Sequence, residues 1–198
     1  DKADVVKITN AYSALGASGL SVLTDENFFG GSKEDLLRAR VNNIPILRKD
    51  FMIDEYQLWE AKAIGADVIL LIAACLSPAE IRHLGQKAHA LGLEVLLEVH
   101  NREELEQSIC EYVDMVGVNN RNLKTFVTSI ETSLELAQRI PDNFVKISES
   151  GLKDAETIQQ LRSASYQGFL IGESFMATDN PGLALKNLIE DFQLTTNQ

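Results

Sequence analysis

The chain has 198 residues, of which 18 are basic and 29 acidic, giving a formal charge of −11, and 45% are hydrophobic. Those values predict one soluble globular domain over 1–198 with enough apolar material for a full core. The acidic balance argues against nucleic acid or a membrane surface as partner, since both demand a basic footprint, but leaves room for an anionic small molecule met by locally gathered positive groups.

In chain order, periodicity predicts an amphipathic helix at 3–15 and then a strict alternation of strands and helices. The strands run Ala17 to Asp25, Pro45 to Phe51, Asp67 to Ala74, Leu93 to His100, Met115 to Arg121, Phe144 to Ser150 and Gly168 to Phe175. Between and after them, helical spacing covers 34–42, 54–64, 78–91, 102–110, 128–139, 154–163 and 181–191. Ser77-Pro78-Ala79-Glu80 reads as a helix start, with a serine cap, proline in the first helical position and glutamate in the third. The longest apolar run, Val68 to Leu76, has nine residues, against roughly 20 for a membrane-spanning helix. Asp1-Lys2-Ala3-Asp4 lacks the order of a secretory signal, so the cytoplasm is the expected compartment. Cys75 and Cys110 are far apart and are expected to be reduced residues of the core or of helices.

A βα unit repeating at about 21 to 29 residues implies a parallel sheet, either open and doubly wound or closed as a (β/α)₈ barrel. The strand ends favour the barrel. Leu47 then Lys49, Leu96 then Glu98, Gly117 then Asn119, and Ile147 then Glu149 each step by two residues, which puts a polar group above an apolar or small one on one face. The expected fold is therefore an α/β, (β/α)₈ TIM barrel with seven of its eight strands and all eight helices apparent, and the domain is expected to be N-terminally incomplete.

Lys49 at the end of a buried strand is expensive unless paired or used, and such lysines serve acid or Schiff-base chemistry. The competing reading is a rim ion pair with Asp50 or Asp25. Glu98 and Glu149 would add a general acid and base to that lysine, or one of them would simply neutralise it. Asn119 is either a substrate contact or a loop-capping amide. Ser150-Gly151 and Gly172-Glu173-Ser174 end the last two strands, where barrels often bind phosphate through freed backbone N–H groups; alternatively these glycines only make tight turns. Other signals are weak. His83, His89 and His100 show no ligand spacing, so no metal is expected. Gly30-Gly31-Ser32 reads as a flexible loop rather than a nucleotide cradle, and Tyr56 and Trp59, three apart on a helix, as packing.

Several segments together resemble indole-3-glycerol-phosphate synthase: Ser21-Val22-Leu23-Thr24-Asp25 with Phe28-Phe29-Gly30-Gly31-Ser32, Leu47-Arg48-Lys49-Asp50-Phe51, Glu94 to His100, Gly117 to Leu123, Ser148-Glu149-Ser150-Gly151 and Leu170 to Ser174. The resemblance implies a carboxy-lyase of tryptophan biosynthesis that converts 1-(2-carboxyphenylamino)-1-deoxyribulose 5-phosphate to indole glycerol phosphate, with loss of carbon dioxide and water and without a cofactor. It implies Lys49 as general acid in ring closure and Glu98 in the proton transfers of dehydration. Glu149 would hold the lysine and substrate hydroxyls. Phe51, Leu70, Asn119, Arg121 and Ser150 would bind substrate, and Gly151, Gly172 and Glu173 would cradle its phosphate. Fusion to, or association with, other tryptophan-pathway enzymes is compatible with it. The family's first strand, with a glutamate, a second lysine and a Ser-Pro-Ser loop, has no counterpart in these 198 residues. The competing functions are another phosphate-binding barrel, such as phosphoribosylanthranilate isomerase or the tryptophan synthase α chain, and a catalytically inactive barrel that only binds a phosphorylated ligand.

Overall fold

A computed structural model describes residues 3–196. Asp1 and Lys2, part of the segment read above against a secretory signal, lie outside the described residues. The chain divides into two compact units, one reaching to Leu97 and including Ser108–Asp114, the other comprising Glu98–Gln107 and the chain from Met115 onward.

The first unit contains α1 (Val5–Ala14), β1 (Leu20–Leu23), α2 (Lys33–Ala39), β2 (Ile46–Lys49), α3 (Glu55–Ala63), β3 (Val68–Ile72), α4 (Pro78–Ala90) and the start of β4 (Glu94–Val99). Its helices begin where polar side chains satisfy the first free N–H groups. Asp4 caps α1 and Ser32 caps α2, while Asp54 with Gln57, and Ser77 with Glu80, close reciprocal boxes on α3 and α4. The strands β1 and β2 pair in parallel from Leu20 opposite Ile46 to Leu23 opposite Lys49, and Leu47 of β2 lies opposite Val68 of β3. The edge of β3 passes to β4 through the Glu94 N–H on the Asp67 carbonyl, 2.9 Å. All five residues of β3 are buried, as a parallel strand covered on both faces should be.

The second unit carries α5 (Arg102–Ser108, up to Gln107), β5 (Met115–Asn119), α6 (Glu131–Leu136), β6 (Val145–Glu149), α7 (Ala155–Ser163), β7 (Gly168–Leu170), α8 (Glu173–Met176) and α9 (Pro181–Thr196). β5 and β6 are parallel with Asn119 opposite Glu149, and β6 and β7 are parallel with Glu149 opposite Leu170. Strand order in the sheet follows chain order. The alternate face of the β5 and β6 ends carries a buried polar lattice. The Asn120 amide donates to Ser148 Oγ at 3.0 Å and accepts from Ser133 Oγ at 2.8 Å, and the Tyr166 hydroxyl donates to the Ser133 carbonyl at 2.7 Å. These bonds satisfy groups that would be costly to bury alone, and they fix the strands whose opposite face presents Asn119 and Glu149.

All seven expected strands are present, though shorter at their ends, and the eight expected helical stretches each contain a helix. A ninth helix among the described residues, α8, replaces the second half of the strand expected over Gly168–Phe175. The apolar run Phe169-Leu170-Ile171 stops at Gly172, where the chain turns and the Phe175 N–H bonds back to the Gly172 carbonyl, 3.1 Å. The packing expected of Tyr56 and Trp59 is overturned: they are 70% and 61% exposed, because α3 buries Leu58 and Ala61 instead. Neither Cys75 nor Cys110 is in a disulfide, and neither lies in the core or in a helix; Cys75 is exposed in the turn before α4. No helix among the described residues is long and apolar enough to cross a membrane.

Candidate active site

In the first unit, Lys49 closes β2 with Leu23 beside it on β1, and the preceding residue, Arg48, lies opposite Ile69 of β3, next to the fully buried Leu70. Both carboxylates considered as rim partners make further contacts of their own. Asp50 Oδ2 accepts from Arg48 at 2.8 Å and from the Thr24 hydroxyl at 2.6 Å. Asp25 Oδ1 accepts the backbone N–H groups of Phe28 and Phe29 at 2.6 and 3.1 Å. That cap folds the loop after β1 so that Phe29 stacks on Phe51, with centroids 4.9 Å apart and planes at 11°, while Phe28 meets Phe51 edge-on at 5.5 Å. In the loop after β1, a Cβ on Gly31 would lie 2.0 Å from the Leu23 carbonyl oxygen, so only glycine passes there. The Phe28 ring is 80% exposed, which leaves an aromatic face open beside Phe51.

In the second unit, Glu98 near the end of β4 is 4% exposed and accepts from the Asn119 amide at 3.1 Å. Asn119 Oδ1 accepts the Arg121 N–H at 3.0 Å, so this one side chain both caps its loop and touches a candidate catalytic group. Glu149, 3% exposed, lies opposite Asn119 in the ladder. Register thus gathers Glu98, Asn119 and Glu149 on neighbouring strand ends, as their two-residue periodicity requires.

The loops that follow are tied together. Ser150 and Gly151 have φ of 68° and 74°, and a Cβ on Gly151 would sit 2.5 Å from Thr128 Cγ2, so the backbone there is pressed against the loop after β5. The Ser174 hydroxyl donates to the Leu152 carbonyl at 2.9 Å, joining the loops after β6 and β7. Gly172 precedes α8, and a Cβ there would meet nothing within 4 Å. Arg121 is ion-paired with the Glu173 carboxylate. Two small-residue turns and an arginine are therefore assembled in one region of this unit, with open space beside the backbone at Gly172 but not at Gly151.

The indole-3-glycerol phosphate synthase family model matches residues 1–188. The chain belongs to that family. A relative named indole-3-glycerol phosphate synthase from Bacteroides thetaiotaomicron is 53% identical over 188 residues, covering 94% of this chain and 72% of the relative. One of the same name from Acidithiobacillus ferrooxidans is 49% identical over 187 residues, covering 94% and 71%. Indole-3-glycerol phosphate synthases are carboxy-lyases of tryptophan biosynthesis, and the chain is of that enzyme class. Among solved structures, a 3-hexulose-6-phosphate synthase aligns with a TM-score of 0.76 at 12% identity, covering 94% of this chain and 92% of its own. KGPDC from Streptococcus mutans aligns with 0.73 at 11%, covering 96% and 91%. At such identities the likeness shows the fold, which is that of the TIM barrels.

Two features of these units were not singled out in the sequence. The stacking of Phe29 and Phe28 on Phe51 joins residues from different βα loops, and only the Asp25 turn signal hints at it. The second is His100, dismissed above for want of ligand spacing, whose ring is 8% exposed and lies between Glu98 and Glu104. The spacing of His100 and Glu104, four apart at a helix start, was the available signal.

Proposed function

We propose that this chain performs the indole-3-glycerol phosphate synthase reaction with the residues that its strand ends carry. Lys49 donates a proton to the carbonyl oxygen of 1-(2-carboxyphenylamino)-1-deoxyribulose 5-phosphate as the carboxylate-bearing ring carbon bonds to the carbonyl carbon. An ammonium beside the forming alkoxide stabilises charge that grows in the transition state. Carbon dioxide then leaves with its bonding electrons returned to the ring system. The new hydroxyl departs as water, with Glu98 handling protons and Asn119 orienting Glu98 through their 3.1 Å hydrogen bond. Glu149 binds substrate hydroxyls, Phe51 and Leu70 border the anthranilate ring, and Arg121 and Ser150 contact the sugar phosphate. The backbone of Gly151, Gly172 and Glu173 receives the phosphate.

The observation that carries this reading is the row of Glu98, Asn119 and Glu149 on adjacent strand ends, in a chain whose family performs this chemistry. The partner is then a phosphorylated small molecule and the compartment the cytoplasm. Association with, or fusion to, other tryptophan-pathway enzymes belongs to the same reading. An indole-fluorescence assay with the phosphorylated substrate tests it. Lys49→Ala and Glu98→Gln should each lower kcat by roughly 100-fold or more, the usual worth of a positioned proton donor or acceptor. Turnover that survives both substitutions overturns the assignment, and tight binding of substrate without turnover favours the inactive barrel.

A further inference from the structure

A continuous chain of contacts runs from the first turn of α5 to Glu98. Asn101 and Glu104 hold one another: the Glu104 N–H donates to Asn101 Oδ1 at 2.9 Å, and the Asn101 amide donates to Glu104 Oε1 at 2.8 Å. Glu104 Oε2 accepts the backbone N–H of His100 at 2.8 Å, so this carboxylate is fixed from both sides before the imidazole reaches it. His100 Nδ1 then lies 3.1 Å from Glu104 Oε2, and its Nε2 lies 3.3 Å from Glu98 Oε1, an ionic contact rather than a well-aligned hydrogen bond. A neutral imidazole has one N–H, whereas both ring nitrogens here face carboxylate oxygens; only the doubly protonated ring serves both. Beyond Glu98 the chain continues to the Asn119 amide, which shares Oε1.

We propose that His100 is a positioning residue for Glu98: clamped by Glu104 as an imidazolium, it holds the Glu98 carboxylate ionised and aimed at the strand end beside Asn119. This inference rests on the role given above to Glu98 and adds a residue that itself acts only through that carboxylate. The electrostatics agree. Burial opposes the charge on His100, but contacts with Glu104 and Glu98 outweigh it and push its pKa up to about 9. Burial likewise works against the charged form of Glu104, and its bonds to His100 overcome this, so its carboxyl titrates below the usual range. The charged or titratable groups facing the ring are thus Glu98 from β4 and Glu104 from α5, with neutral Asn119 from β5 next in line.

The test uses the full chain and two readouts. Imidazole nitrogen NMR near neutral pH should show both His100 nitrogens protonated in the parent protein, and Glu104→Gln should lower the titration midpoint of His100 by about one unit, the usual effect of losing one adjacent opposite charge. In the fluorescence assay, His100→Gln should lower kcat by roughly tenfold with little change in KM. It should also move the acid limb of the kcat profile upward by about one unit, because a carboxylate without its cation is harder to ionise. A neutral His100 at neutral pH overturns the proposal, whether or not the chain turns over and whether or not His100→Gln folds. So does a folded His100→Gln with parental kcat and an unmoved acid limb. An active Glu98→Gln sinks the role of Glu98 and this inference together, whereas an inactive Glu98→Gln beside an unaffected His100→Gln sinks this inference alone.

Discussion

Arg48→Met probes what holds the strand that presents Lys49. The Arg48 side chain is 3% exposed and faces away from the lysine, as the next residue on a strand must. Its Nη2 lies 2.8 Å from Asp50 Oδ2 and 2.8 Å from Glu60 Oε2, its Nε 3.0 Å from the Thr24 hydroxyl, and its Nη1 3.1 Å from the Gln57 carbonyl. Methionine fills similar volume but leaves the two acids without that cation. Removing one partner of a buried ion pair costs about 3–5 kcal/mol. The lower end applies here. Glu60, whose side chain is 16% exposed, keeps Lys33 at 2.7 Å, while Asp50 keeps the Thr24 hydroxyl and the Phe51 N–H at 2.8 Å. The expected loss is about 3 kcal/mol, read as a lower urea midpoint at unchanged slope near neutral pH. Adding Asp50→Asn to Arg48→Met should recover part of that loss, giving a coupling of about 2 kcal/mol in the double-mutant cycle. A loss under about 1 kcal/mol, or a coupling near zero, would refute the idea that this cluster is an interdependent buried network.

Three further outcomes are expected. Stability should fall as pH rises from 6.5 toward 9, because the folded-state pKa of His100 lies above its ordinary value; the contribution is complete below 6.5 and gone above 9. Discounted for partial solvation it amounts to about 1–2 kcal/mol, and thermal melts across that range should lose this slope in His100→Gln. Tyr166→Phe removes the buried hydroxyl that bonds to the Ser133 carbonyl and should cost about 1–2 kcal/mol in urea; a neutral result would mean that the polar lattice behind β5 and β6 tolerates the gap. Gly31→Ala drives a Cβ to 2.0 Å from the Leu23 carbonyl oxygen and 2.3 Å from its carbon, backbone atoms that cannot rotate aside. It should cost about 2 kcal/mol or more and displace the Phe28–Phe29 turn, and an unchanged melting temperature would refute the close approach of Gly31 to Leu23.

The strands were legible because their chemistry is local. Val68 to Ile72 is uniformly apolar and buried on both faces, and the polar groups Lys49, Glu98, Asn119 and Glu149 each follow an apolar or small residue two places earlier, so alternation alone predicts a common face. The Ser77-Pro78-Ala79-Glu80 start was equally explicit, since its cap is closed within four residues. The errors arose where a local pattern had more than one tertiary outcome. Tyr56 and Trp59 are spaced like a buried stripe, but Leu58 and Ala61 occupy the face that α3 turns inward. Gly168 to Phe175 reads as a continuing strand until Gly172 turns it into α8.

The sequence by itself determined the order of βα units, the helix caps and the identity of the strand-end groups, because each depends on residues within a turn or a two-residue repeat. The tertiary structure decided their partners. Asp50 takes Arg48 and the Thr24 hydroxyl, and Asp25 takes the amides of a turn, partners that strand periodicity does not name. Likewise, His100 and Glu98 are two apart in every version of the sequence pattern, but the ring becomes a clamp only when the first turn of α5 brings Glu104 onto its far nitrogen. Such assignments lie outside local pattern because a buried charge takes whichever counter-charge folding delivers, and its protonation follows from that contact rather than from the residue type.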